Sequence, residues 1–525
     1  MATMSAFEIL GPIMVGPSSS HTAGALRCAR VAASLMEAPI VRVTFTLYNS
    51  FAHTYRGHGT DRALVAGIMG LDTDDERIRD AFAIAHERGL AFRFELGGDD
   101  AHLHPNTVDI AMEDAQGAHS VVRGESLGGG RVRVSRINGV DVDVSGDYDT
   151  LFVAHRDAPG VLADLTYLLS EAHINIAFMR TFRTERGGSA YTVFELDDLP
   201  PASLLTELRG RANIFTATCI TVPGSSPASS TAPEELFDTA AELLETCDRL
   251  HLTIGALMAV REANLTGEAE TVAAMQRVLD VMKAETTEPI ASPRPSLGGL
   301  IGGEARQVAH AGAAYAQALM GVVQTDAVAR AMAVLERSAS MGVIVAAPTA
   351  GSAGVVPGCV LALAEHLGLD DSETMDALFC AAAVGLILSA NACVAGAEGG
   401  CQAEVGSAAA MAAAALVQMM GGDAACALNA ASIALANLLG LVCDPVGGLV
   451  EVPCQNRNAI GVACAFSAAH LALSGVKSLV PFDEMARVML EVGHALPASL
   501  RETAAGGIAT APSACSVCGG WGGRG

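Results

Sequence analysis

The sequence predicts a multidomain protein: an α/β (α+β) N-terminal domain, a ferredoxin-like module and an all-α C-terminal domain. Three observations predict it. Near the start, Val41, Val43, Phe45 and Leu47 alternate with Arg42, Thr44, Thr46 and Tyr48, a half-buried strand set among helical periods. Residues 149 to about 222 then read strand, helix, strand, strand, helix, strand, the order of a split βαβ. From residue 320 onward long helical patterns alternate with Gly-rich breaks, and no strand-rich region follows. A chain of 525 residues is long enough for about two to four domains with substantial cores.

Within the first domain, 1–147, residues 22–36 and 60–70 place apolar side chains at helical spacing, and 74–87 reads as a charged amphipathic helix. Residues 120–122 and 131–134 read as strands around the Gly128-Gly129-Gly130 turn. The module at 148–222 opens on the strand Leu151-Phe152-Val153-Ala154, and Pro159-Gly160 starts a helix whose first N–H groups can hold a carboxylate. Pro and Ser dominate 223–233, a flexible linker. In the last domain, 234–525, residues 234–288 read as two amphipathic helices. The stretches 377–397 and 424–443 carry no charged residue and match a membrane span in length. Alanine dominates both, Ser389, Asn391, Asn429, Ser432 and Asn437 interrupt them, and no Lys or Arg flanks them, so buried bundle helices are expected and no membrane.

The formal charge of −25 argues against nucleic acid or an anionic membrane surface as a partner, since both need clustered Lys and Arg. Thirteen cysteines are scattered, and no basic start followed by an apolar stretch and a cleavage site opens the chain, which points to the reducing cytoplasm. Lys283 and Lys477 are the only lysines. One sits in a charged helical pattern and the other in a loop, so imine chemistry with pyridoxal phosphate is not expected.

Cys401, Cys443 and Cys454 sit in turn-forming contexts: Gly399-Gly400-Cys401-Gln402, Cys443-Asp444-Pro445-Val446-Gly447-Gly448 and Val452-Pro453-Cys454-Gln455. Core cysteines lie in apolar helical stretches instead, as Cys380, Cys426 and Cys464 do. Three thiolates without a fourth suit a [4Fe–4S] cluster with one iron left open as a Lewis acid. Structural zinc or coincidence stands beside that reading, because no compact Cys-x-x-Cys pair among these three favours either metal.

Two helix starts supply the other candidates. In Gly16-Pro17-Ser18-Ser19-Ser20-His21-Thr22-Ala23-Gly24, the residues Ser18, Ser19, Ser20 and Thr22 crowd hydroxyls and N–H groups where a helix dipole favours a carboxylate. Capping by one hydroxyl is the plainer alternative. Gly57-His58-Gly59-Thr60-Asp61 also precedes a helix. His58 is the first candidate for a general base and His21 the second, because an imidazole pKa near ~6.5 suits proton abstraction at neutral pH. Gly298-Gly299-Leu300-Ile301-Gly302-Gly303-Glu304 and Ala347-Pro348-Thr349-Ala350-Gly351-Ser352 read as loops where backbone approaches a ligand, with Thr349, Gly351 and Ser352 as candidate substrate contacts. Neither has the lysine of a P-loop or the strand of a dinucleotide fingerprint, and tight turns between buried helices remain the alternative.

The residues His155-Arg156-Asp157-Ala158-Pro159-Gly160-Val161-Leu162 and Ile174-Asn175-Ile176-Ala177-Phe178-Met179-Arg180 resemble an ACT domain, a module that binds small effectors and commonly pairs edge to edge. The longer motifs resemble the iron–sulfur L-serine dehydratases: Gly11 through Gly24, Gly57 through Asp61, Ala346 through Ser352, Gly400-Cys401-Gln402-Ala403-Glu404-Val405-Gly406 and Cys443 through Cys454. The resemblance implies that Cys401, Cys443 and Cys454 hold a [4Fe–4S] cluster, that the serine-rich loop binds the substrate carboxylate, and that L-serine is deaminated to pyruvate and ammonia. It implies a fused beta-like and alpha-like chain with the ACT domain between, and a homodimer. In relatives a terminal cysteine can cap the fourth iron. Here Cys515 is nearest that place, but Cys518 and a glycine-rich end follow it, so capping by Cys515 stands beside a redox pair or idle tail thiols. L-Threonine or another hydroxy-acid is the rival substrate, and a zinc-stabilised amino-acid sensor is the rival class.

Overall fold

The computed structural model describes residues 4–36, 38–128, 131–144, 149–183, 185–220, 237–311 and 313–519. The expected linker 223–233 and the Gly129-Gly130 pair lie outside them.

The alternating stretch forms the strand Ile40–Tyr48 in a six-stranded sheet, ordered Ala91–Gly98, Ile40–Tyr48, Thr107–Asp114, His119–Gly128, Arg131–Ile137, Val140–Val144. Its pairing with Ala91–Gly98 is parallel and all others are antiparallel. Val43, Phe45 and Leu47 enter one core with side chains of the helices Ala25–Ser34 and Thr60–Ile68, as a period of two requires on a sheet covered on one face. The helix expected over 74–87 is shorter. The Asp75 carboxylate accepts from the Arg77 N–H and closes a 3₁₀ turn, Glu76–Asp80, before the α-helix Ala81–Glu87 begins.

The ferredoxin-like module is an antiparallel sheet ordered Ile214–Ile220, Asp149–Arg156, Ser189–Leu196, Ile176–Arg183. The helices Val161–Glu171 and Ala202–Arg209 pack on one face around Leu151, Val153 and Phe194. Phe152, Ala154, Val193 and Ile220 on the other face join the core of the N-terminal domain. Both faces of this small sheet are therefore buried.

The C-terminal domain is a helical bundle with Asp371–Asn391, Ser407–Met419, Ala424–Leu438 and Cys454–Leu473 at its centre. Alanine on nearly every face lets these helices approach closely without ridges of bulky side chains. Among the described residues one helix, Asp371–Asn391, is long and apolar enough to cross a membrane, and the bundle buries most of it. The region read as two helices over 234–288 holds three: Ala240–Leu250, Ile254–Thr266 and Glu268–Ala291. His251 in a left-handed conformation ends the first, and Gly267 with φ +97° separates the second from the third.

Two long-range features set up the site. Ile13–Val15 pairs antiparallel with Val343–Val345, a two-stranded ribbon that joins the N-terminal domain to the bundle. It delivers the loop at 16–24 and the loop at 346–352 side by side, and Met14, Ile344, Ala346 and Cys454 share a small core beneath them. Second, the Glu451 carboxylate accepts from the Gly298 N–H at 2.6 Å, the Leu300 N–H at 2.9 Å and the Ser296 hydroxyl at 2.6 Å. The glycine loop at 298–303 thus wraps an internal carboxylate, which explains its backbone without an external ligand.

Candidate functional site

Segments from both ends of the chain line one cavity of about 450 Å³. Ser18, Ser19 and Ser20 reach it from the N-terminal domain, Thr349 and Gly351 from the loop after the ribbon, and Cys443 and Cys454 from the bundle. Glu404, Glu502 and Asn106, which sequence reasoning did not single out as site residues, line it too.

The three cysteines arrive from separate turns. Cys401 caps the π-helical turn Gln402–Gly406, Cys443 bridges to Arg501, and Cys454 opens the helix Cys454–Leu473. The Arg457 guanidinium donates to Asp444 at 2.7 Å and to the Val442 carbonyl at 2.8 Å, tying the segment of Cys443 to the helix that begins at Cys454. All three thiols are buried and unpaired. Burial pushes the Cys401 thiol up to about 12 and raises Cys443 and Cys454 well above the ordinary range, with nearby Glu404 and the companion thiols adding to it. Such thiols ionise only when a cation compensates them. This donor set, with Cys443 and Cys454 at the cavity edge and Cys401 beside them but outside its lining, fits a thiolate-held metal group.

The Glu404 carboxylate lies 3.9 Å from the Cys443 sulfur and accepts from the Thr349 hydroxyl at 2.7 Å. Burial raises its pKa. A Cβ at Gly396 would meet it at 2.6 Å, so that position admits no larger residue without displacing the carboxylate. The chain after residue 497 closes the site. Glu502 donates its N–H to the Cys443 carbonyl at 2.8 Å, and the Ile508 N–H donates to Asp444 at 2.7 Å. Cys515 does not join the other thiols: it is exposed on the helix Pro512–Gly519 and does not line the cavity. The Cys518 side chain lies outside the described residues.

The serine-rich loop forms a π-helical turn, Ser19–Gly24, capped by Ser18, whose hydroxyl accepts from the His21 N–H at 3.0 Å. Two serine hydroxyls meet His21 Nδ1, Ser18 at 3.3 Å and Ser20 at 3.0 Å, and Ser50 meets Nε2 at 2.9 Å. Thr22 turns inward and donates to the His58 carbonyl at 2.7 Å, while Ser352 donates to the Ala347 carbonyl at 3.2 Å. Both hydroxyls are thus engaged in holding loops together, and neither residue lines the cavity.

His21 and His58 stand edge to face with ring centroids 4.4 Å apart, behind the cavity wall and beside Glu502. Neither His58 nitrogen has a well-formed hydrogen bond. Burial lowers the His58 pKa to about 4, and burial with the neighbouring imidazole lowers that of His21 well below the usual value. Both rings are neutral at pH 7. Burial, then the charge of Glu404, raises the Glu502 carboxyl to about 8.

The histidines make stability depend on acid. With His58 at about 4 when folded and ~6.5 when unfolded, the unfolded chain binds more protons between those values, so this stabilisation is complete above ~6.5 and lost as pH falls toward 4. The loss is on the order of 3 kcal/mol for this one group. Glu502, raised to about 8, contributes with the opposite sign over the same range, so the His58 share is read as a difference: the Tm of wild type relative to His58→Gln is expected to fall from pH 7 to pH 5. A difference that does not change with pH would contradict it.

Comparison with known proteins covers nearly all of the chain. The family models for the serine dehydratase beta chain, the ACT domain and the serine dehydratase alpha chain match residues 5–119, 150–213 and 230–509. The L-serine dehydratase of Streptomyces coelicolor is 30% identical over 521 residues, 96% of this chain and 98% of that protein. The L-serine dehydratase alpha chain of Peptoniphilus asaccharolyticus is 43% identical over 276 residues, 52% of this chain and 94% of its own length. Its beta chain is 39% identical over 222 residues, 42% of this chain and 100% of its own length.

Proposed function

Because the chain belongs to the L-serine dehydratase family, in a single-chain form with an ACT domain, we propose that it converts L-serine to pyruvate and ammonia at the cavity walled by Cys443, Cys454 and the serine-rich loop. One observation carries the reading: three buried unpaired thiols, a serine-rich π-helical turn and two neutral imidazoles come together from segments far apart in the chain. A [4Fe–4S] cluster held by Cys401, Cys443 and Cys454 supplies, when bound, an open iron that acts as Lewis acid toward the substrate hydroxyl.

The protein's own groups do the rest. N–H groups at the start of the turn Ser19–Gly24, with the Ser18 and Ser20 hydroxyls, receive the substrate carboxylate. Thr349 and Gly351 form the opposite wall. His58, neutral and only loosely held by the Gly448 backbone, takes the α-proton as the β-hydroxyl departs. His21, bonded at both nitrogens, orients the loop, and Glu502, between cavity and imidazoles, is placed to move the proton on. The resulting aminoacrylate tautomerises to an imine, which water hydrolyses to pyruvate and ammonia. A zinc-stabilised sensor leaves the cavity and the paired imidazoles without a task.

The test is pyruvate formation from L-serine by anaerobically purified, iron-reconstituted protein, with an air-exposed aliquot as control. Activity lost in air supports the reading. A full cluster without pyruvate from L-serine, but with turnover of L-threonine, moves the substrate to the larger amino acid.

Two further properties belong to the same proposal. The ACT domain binds a small effector at the turn where Gly160, with φ +90°, leads into Val161–Glu171 without a side-chain cap. The protein is a homodimer paired through these modules, so light scattering after size-exclusion chromatography gives about twice the chain mass. A sharp monomer peak would refute this. We place it in the reducing cytoplasm, where twelve unpaired described cysteines are at home.

A further inference from the structure

Beyond that reading, we propose that His21, His58 and Glu502 form a divalent transition-metal site, separate from the three thiols, and that Zn²⁺ bound there silences the enzyme. One ligand atom from each residue, two imidazole nitrogens and a carboxylate oxygen, lies within 4.8 Å of the other two. Ligands ~2.1 Å from a tetrahedral zinc stand roughly 3.4 Å apart, so modest side-chain rotations close the set. Two histidines and a carboxylate with a position left open are a donor set that divalent first-row metals take.

A second observation points to a ligand. His58 is wholly buried, and its ring has only a contact with the Gly448 backbone outside good hydrogen-bond geometry, which leaves at least one nitrogen without a partner. Buried polar groups are nearly always satisfied, and an ion is one of the few things that accounts for one that is not. His21 is already oriented, with serine hydroxyls on both nitrogens. Exchange of one hydroxyl for metal leaves the other to fix the ring, as partners of metal-bound histidines do. Glu502 lines the cavity, so a cation entering with solvent meets this set without crossing the core.

The three donors belong to the serine-rich loop, the Gly57–Gly59 turn and the chain after residue 497. A bound cation ties them together and occupies the nitrogen lone pair of His58. Inhibition rests on His58 being the base, whereas binding does not depend on that reading.

The experiment titrates ZnCl₂ into the cluster-loaded enzyme. Expected is inhibition that a chelator reverses, competitive with L-serine, and weakened at least ~10-fold in Glu502→Gln relative to that variant's own uninhibited rate. An inhibition constant unchanged in Glu502→Gln overturns the site. Binding is measured independently by calorimetry on the Cys401→Ala/Cys443→Ala/Cys454→Ala protein carrying Cys515→Ala and Cys518→Ala as well, so that neither the three site thiols nor the terminal pair compete. One Zn²⁺ per chain is expected, lost on adding His58→Ala, and Co²⁺ in its place gives visible ligand-field bands without sulfur charge transfer. No binding, or binding indifferent to His58→Ala, refutes it. A protein that forms no pyruvate fails the dehydratase reading, while the zinc titration still decides this site.

Discussion

Cys401→Ala, Cys443→Ala and Cys454→Ala each emerge from anaerobic reconstitution with neither a full cluster nor measurable pyruvate formation. The three sulfurs come from different turns, so no neighbouring thiol in sequence can substitute for a missing one. The folded chain should survive each change, because the Arg457–Asp444 pair and the ribbon Ile13–Val15 with Val343–Val345 hold the turns without sulfur. Iron and sulfide per chain, read beside circular dichroism, check this. Four irons retained in any one variant remove that cysteine from the ligand set. Cys515→Ala, exposed on its terminal helix, keeps the cluster.

His58→Ala loses about 10²- to 10⁴-fold in kcat while keeping its cluster, the range that a general base contributes. Direct cluster damage is not expected, since the imidazole packs against His21 and Glu502 and is not one of the thiols. The primary isotope effect on kcat with α-deuterated L-serine isolates the step: His58→Ala should express it in full because proton removal then limits the rate, and His21→Ala should mainly raise KM by loosening the serine-rich loop. A kcat within tenfold of wild type for His58→Ala would pass the role of base to His21 or Glu502.

Strong local periods made much of the fold legible. Val43, Phe45 and Leu47 declared a one-sided strand, and the alanine-rich stretches declared buried helices whose polar interruptions bond within the protein, as Ser432 does to the Val480 carbonyl. The ribbon was not legible. Its strands have three residues each, too short for a period, and their partnership spans over three hundred positions of chain. The site divides similarly. Cys401, Cys443 and Cys454 were legible as candidates because glycine and proline beside a thiol are poor core packing. Glu404 and Glu502 were missed because a lone carboxylate reads as solvated surface unless its burial is known. Thr22 and Ser352 were read as substrate contacts because sequence gives the residue type in a loop and not the direction of its hydroxyl.

The ribbon bears on how such an enzyme can be assembled. In Peptoniphilus asaccharolyticus the alpha and beta chains that match the two halves are separate proteins, and any pair of separate chains meets bimolecularly. Here the two strands meet within one polypeptide, so their encounter is intramolecular and does not depend on dilution. A cavity shared by both halves then completes itself by first-order kinetics, independent of how much protein the cell makes. A single chain in this architecture trades a stoichiometry problem for a folding problem.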